Sequence, residues 1–115
     1  MDAVVEWVDV RERLPMIGFP LAAATSGRYR AEPGEASGKD FWLVLPMHFT
    51  DRHITEHGTE YRDCFVDSDG VVRLPYGGSS AETVTHWAYL PTLPGLAVHR
   101  TIGEDARTAL RNILT

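Results

Sequence analysis

The sequence predicts an α+β domain, a mainly antiparallel sheet followed by one amphipathic C-terminal helix. Three observations carry this expectation. Two strand-like runs, residues 60–66 and 71–74, are joined through Asp69-Gly70, a dipeptide suited to the positive backbone angles of a tight hairpin. Residues 41–46 (Phe-Trp-Leu-Val-Leu-Pro) form an apolar run of strand length. Beyond residue 101, Ile102, Ala106, Ala109, Leu110, Ile113 and Leu114 recur at helical spacing.

Taken in chain order, residues 6–14 begin with an apolar-polar alternation through Trp7, Val8, Asp9 and Val10 and stop at Pro15, as a short strand or extended arm does. Residues 20–25 are small and apolar and predict a buried strand. Residues 26–39 mix glycine, proline and charge and predict a loop or a loose hairpin end. The run 41–46 is apolar on both faces and predicts a central strand. In the first arm of the hairpin, Tyr61, Asp63 and Phe65 alternate with Arg62, Cys64 and Val66. Gly77-Gly78-Ser79-Ser80 predicts a flexible loop, and residues 82–90 a last strand halted by Pro91. Thr101 and Glu104 have capping-box spacing, with Thr101 as N-cap, and Arg107 and Arg111 lie one turn apart on another face of the helix. The chain reads as one domain over 1–115, with a sheet-rich body over 1–100 and the helix over 101–115.

Composition bounds the function. With 43% hydrophobic and 23% charged residues, the 115-residue chain is of globular type rather than disordered or membrane-embedded. Its net charge of −5 excludes wrapping of nucleic acid by phosphate neutralisation, which needs a basic face. A single cysteine, Cys64, allows no internal disulfide. The first ten residues lack a signal-peptide design, and no apolar run approaches the roughly 18 residues of a membrane span. The expected setting is the cytoplasm of a host cell, with no membrane partner.

Two blocks resemble a known family. Trp7-Val8-Asp9-Val10-Arg11-Glu12-Arg13-Leu14-Pro15 resembles a "W-x-x-V-x-x-R-L-P" opening signature. Val84-Thr85-His86-Trp87-Ala88-Tyr89-Leu90-Pro91 resembles a "V-T-H-W-x-x-L-P" closing one. Both belong to a small family of domains of unknown function found in phages and bacteria. The resemblance covers about a sixth of the chain and implies a small sheet-rich fold in a mobile-element setting. It supplies no catalytic residue. Residues 48–69 and the C-terminal helix depart from the pattern. Trp7, Leu14 and Trp87 are expected to bury large apolar areas in the core.

Several constellations carry candidate chemistry. His53-Ile54-Thr55-Glu56-His57 matches H-x-x-E-H. On a helix, capped by Thr50 and ended by Gly58, this pattern sets two imidazoles on one face beside a general base, with His48 as a third metal ligand. The competing expectation is a polar loop or short helix without metal. Cys64 with His86 or His48 would make a nucleophile pair only if the fold brought them together. Asp67-Ser68-Asp69-Gly70 is a fragment of a calcium loop but lacks its later carboxylate, so a hairpin turn explains it better. No phosphate-binding or nucleophile-elbow motif occurs, and no cofactor is expected.

Charge is unevenly spread. Residues 51–70 hold six acids against two bases, a net −4, whereas residues 71–115 hold four bases against three acids. Asp51, Glu56, Glu60, Tyr61, Asp63, Asp67 and Asp69 are therefore the candidate partner-binding residues, an acidic surface able to steer onto a basic one. The expected function is that of a non-enzymatic phage-type binding module. It would inhibit or modulate a host protein or protein–nucleic-acid complex, such as a nucleic-acid-targeting defence system in the manner of an anti-CRISPR protein. The alternatives are a small zinc hydrolase using His53, Glu56 and His57, and a virion-structural or dimeric adaptor joined through residues 101–115.

Overall fold

The structure is a computed structural model and describes residues 5–36, 38–77 and 82–114. Residues 1–4 and most of the predicted glycine-serine loop lie outside the described residues. The described elements are β1 (Val8–Asp9), β2 (Pro20–Arg28), β3 (Asp40–Ile54), β4 (Glu60–Asp67), β5 (Val72–Pro75), β6 (Thr83–Tyr89) and α1 (Gly103–Leu114).

Strands make up 43% of the described residues, and β2 to β6 close into a five-stranded barrel. The sheet order is β1-β6-β2-β3-β4-β5, and a further pairing of β5 with β6 completes the ring. That closing pair is parallel, with Leu74 opposite Thr83 and Pro75 opposite Val84, while the other ladders are antiparallel. This corrects the predicted α+β architecture with its mainly antiparallel sheet: the sheet is mixed and closed. The reason lies between Pro75 and Thr83. A two-residue turn there would make the neighbours antiparallel, whereas strands paired in parallel need a longer connection. β6 then offers its second edge to two partners in succession, β5 at Thr83 and Val84 and β1 at His86 and Trp87.

The core fills the ring with Leu21, Ala23, Met47, Phe49, Phe65, Val84 and Trp87, closed at one side by Val8 and Val10. Phe49 and Phe65 meet edge to face with centroids 5.2 Å apart. Trp87 is 2% exposed, and its indole N–H donates to the Arg13 carbonyl at 2.9 Å. Trp7 and Leu14 are not core, contrary to expectation, being 42% and 39% exposed.

The run 41–46 is not buried on both faces either. Trp42 and Val44 stand on the outer wall, because one face of a barrel strand meets solvent. β3 continues to Ile54, through the stretch read as a loop or short helix, and pairs with β4 from Met47 opposite Asp67 to Ile54 opposite Glu60. A turn closes the hairpin through Gly58 N–H to the Thr55 carbonyl at 2.9 Å, with Gly58 at a φ of 83° that favours glycine. The second hairpin, the one the sequence predicts, joins β4 to β5. There one Asp67 carboxylate oxygen accepts the backbone N–H groups of Asp69 and Val71, both at 2.9 Å.

α1 begins at Gly103, one residue later than a Thr101 cap predicts, and none of its residues is buried. Its apolar residues share a hollow with Leu93, Pro94 and Leu96 of the strap that precedes it. The strap is pinned to the barrel by His99 Nε2, which donates to the Leu90 carbonyl at 2.7 Å. The helix thus packs on its own connection instead of covering the sheet. No helix among the described residues is long and apolar enough to cross a membrane.

Candidate functional site

The seven acidic-segment candidates do not form one patch. Glu60 lies at the far end of the β3–β4 hairpin, where its Oε1 accepts Arg52 Nε and Arg62 Nε, both at 2.9 Å. Those two arginines face each other across the strands, so the glutamate relieves a like-charge pair. Glu56 is exposed in the hairpin turn beside His57, and Tyr61 pairs with His53 along the strands. Asp63 has a φ of 46°, and Asp51 and Asp63 lie on facing strands between the Thr50–Cys64 and Arg52–Arg62 pairs. Asp67 and Asp69 sit at the opposite end of β4, seven and nine residues from Glu60, a separation of over 20 Å for Asp67 along an extended strand.

Asp67 is structural. Its side chain is 12% exposed, and its Oδ2 lies 2.7 Å from Arg73 Nη1. Arg73 is buried on β5 directly opposite Phe65, with Glu82 Oε2 3.0 Å from its Nε. Burial pushes the Asp67 carboxyl up, but the Arg73 guanidinium and the two turn N–H groups outweigh it and hold the group below the usual carboxylate range.

The histidine motif meets no metal geometry. His53 lies on β3 and His57 in the hairpin turn, so the two imidazoles do not share a helical face; His48 is exposed further back on β3. Among the described residues no group of three or more His, Cys, Asp or Glu side chains is placed to hold a metal ion. Cys64 is fully buried opposite Thr50, and burial followed by the nearby Asp63 charge pushes its thiol up. β5 lies between its strand and that of His86, and although His48 is on the neighbouring β3, among the described residues no hydrogen bond joins Cys64 to either histidine.

Another site stands on the outer wall, where β3, β2 and β6 run side by side. Register sets Val44, Ala24 and His86 in one row across the three strands, with Asp9 of β1 beyond. Ala24 is the small member, and its size leaves a hollow of about 330 Å³ walled by Trp7, Trp42, Leu43, Val44 and His86. Trp42 is 67% exposed, and yet its indole is fixed.

The fixing group comes from a β-bulge. Ala24 pairs with His86 and Thr25 with Val84, so Thr85 is the extra residue on β6. Its hydroxyl donates to the Ala24 carbonyl at 3.1 Å and accepts the Trp42 indole N–H at 2.9 Å. It also lies 3.0 Å from His86 Nδ1.

A second hollow on the other side of Trp42 and His86 is lined by Arg11, Ser26, Tyr76 and Thr85. Arg11 lies over the Tyr76 ring at 5.6 Å, and two of its nitrogens bond the Asp9 carboxylate, at 2.6 and 3.0 Å. The guanidinium and the Arg11 backbone N–H hold the Asp9 carboxyl well below its ordinary value. The arginine is thus a compensated charge, and the ledge as a whole is aromatic and near neutral.

Trp7 and His86 fall within the two signature blocks, but the blocks read as architecture. Trp42 was hidden in an apolar run. No signal in the sequence marks Thr85 as a bulge. Comparison with protein-family models, curated proteins and solved structures yields no match to this chain.

Proposed function

We propose that this protein is a binding module that docks on a partner protein through the ledge of Trp7, Trp42, Val44 and His86. One observation carries the reading: a two-thirds exposed tryptophan donates its indole N–H to a bulge-borne hydroxyl and stands between two hollows. Exposed aromatics fixed before binding contribute contact area at low entropic cost, which is how interface hot spots work. Asp51, Glu56 and Asp63, on the β3–β4 hairpin, add long-range steering toward a basic surface. In the phage-type setting implied by the two signature blocks, such a partner is a host complex that presents a basic nucleic-acid-binding face.

The test is quantitative capture from host lysate with the wild-type chain and two variants whose circular dichroism matches it. Trp7→Ala combined with Trp42→Ala abolishes retention of the partner. Asp51→Lys combined with Asp63→Lys slows association and flattens its salt dependence. A partner retained equally by the double tryptophan variant overturns the reading. Asp67 is unsuitable for charge reversal, because it anchors Arg73 and its loss perturbs the fold itself.

A further inference from the structure

The β3–β4 hairpin runs on past the barrel as a two-stranded ribbon. Among the described residues, β2 pairs with β3 only as far as His48, and β5 pairs with β4 only at Phe65 and Val66. Asp63, at a φ of 46°, marks where β4 passes from the barrel wall into the ribbon. Residues 60–62 therefore form a strand edge with no described strand on its outer side. The direction of the backbone groups on that edge follows from the turn. The Thr55 N–H donates to the Thr59 carbonyl at 2.9 Å, so that facing pair is hydrogen-bonded. Antiparallel pairs alternate, so Tyr61 bonds inward to His53, while Glu60 and Arg62 turn their N–H and C=O groups outward.

The side chains of this edge complement themselves end for end. Glu60, Tyr61 and Arg62 read acid, aromatic, base. Arg52 and Arg62 both reach Glu60 through the same oxygen, Oε1, which leaves Glu60 Oε2 and the Arg62 Nη groups unspent among the described residues. We propose that a second copy of this chain adds to the edge, antiparallel, about a two-fold axis at Tyr61. Glu60 and Arg62 then exchange backbone hydrogen bonds with Arg62 and Glu60 of the second copy, and opposite charges face each other at both pairs. The two Tyr61 side chains meet on the axis as a non-hydrogen-bonded pair, the closer kind. Charged residues on a bare edge ordinarily repel an added strand, but these admit the chain's own copy. The outer edge of β3 has no such fit. Within its free stretch, residues 50–54, an axis at Arg52 sets that arginine against itself, and an axis at His53 sets it against Ile54.

The test is sedimentation equilibrium of the full chain at rising concentration, in low and high salt. A monomer–dimer equilibrium is expected, weakened by salt as the facing charges are screened. Arg62→Glu sets acid against acid and Glu60→Arg sets base against base, and each should weaken dimerisation roughly tenfold. Mixed in equal amounts, the two variants regain opposed pairs and form a heterodimer. The double variant Glu60→Arg with Arg62→Glu reverses both charges, keeps an acid opposite Arg52 and self-associates again, so the proposal stays testable if one single variant fails to fold. A wild type that remains monomeric at about 1 mM overturns the proposal, as do assemblies larger than a dimer or a dimer indifferent to both charge changes. Dimerisation lost in the single variants and restored neither by mixing nor by the double variant overturns it as well.

Discussion

Trp87 and Trp42 stand on opposite walls of the same barrel and make hydrogen bonds of the same length. Each donates its indole N–H at 2.9 Å, Trp87 to the Arg13 carbonyl and Trp42 to the Thr85 hydroxyl. Their exposures are 2% and 67%. For Trp87 the bond answers a necessity, because a buried N–H without a partner costs 1–3 kcal/mol. For Trp42 no such necessity exists, since water would satisfy the group equally well. What the bond achieves there is orientation. The same interaction is thus stabilising on the inner wall and positional on the outer one.

Substitutions break or sharpen this contrast. The largest effect is expected for Trp87→Ala, which leaves a cavity among Leu21, Phe65 and Val84 and should cost about 3–5 kcal/mol in denaturant unfolding. A cost near zero would mean that the inner wall is not the core. Asp67→Asn comes next, at about 3 kcal/mol, because it removes one of the two carboxylate charges that compensate the buried Arg73.

The same group predicts a pH profile. Asp67 and Asp9 are held below their ordinary values when folded, so the unfolded chain binds protons first as pH falls. Stability from these carboxylates is complete above the ordinary carboxylate range, near 4, and is lost as pH falls through it toward the folded values. Asp67→Asn should flatten that acid limb in urea titrations between pH 5 and 2. An unchanged limb would remove Asp67 from the account.

Thr85→Val is expected to cost about 1 kcal/mol, from loss of the hydroxyl's bond to the Ala24 carbonyl, and to free the Trp42 ring. Fluorescence anisotropy of a chain retaining only Trp42 and Trp87 reports that release. Trp42→Ala should cost well under 1 kcal/mol in the same unfolding assay. If it costs as much as Trp87→Ala, the distinction between walls collapses. The smallest effect is expected for removing residues 103–115: α1 buries none of its residues, so the melting transition of the barrel should stay within a few degrees.

Parts of this architecture were legible in the sequence for definite reasons. Asp69-Gly70 demands a turn, with Gly70 at a φ of 81°, and Pro91 ends β6, so the β4–β5 hairpin and the last strand follow from local chemistry. The helical spacing after residue 101 likewise needs no tertiary information. The barrel's closure was not legible, because the parallel β5–β6 pair joins segments whose connection has no periodicity. The second half of β3 was missed since, beyond the core residue Phe49, the stretch from Thr50 to His53 is polar and leaves no alternation to read. The run 41–46 misled in the opposite sense: on a wall with a sticky outer face, exposed Trp42 and Val44 look the same as buried ones. The candidate site was hidden for a related reason, since a bulge is a matter of register between two strands and Thr85 has no distinguishing neighbour in its own strand.

The second edge of β6 is divided between β5 and β1, and that division governs how the chain can be made. Val8 pairs with Trp87, and the Val10 N–H reaches the Thr85 carbonyl at 3.1 Å. A nascent chain carries residues 8–10 unpaired until β6 (Thr83–Tyr89) has emerged from the ribosome. Contacts of such wide sequence separation are slow to form. Until they do, β6 keeps a bare edge of the kind on which other strands add. Residues 8–10 therefore act as a late seal, covering the free edge of β6 only once that strand has been made.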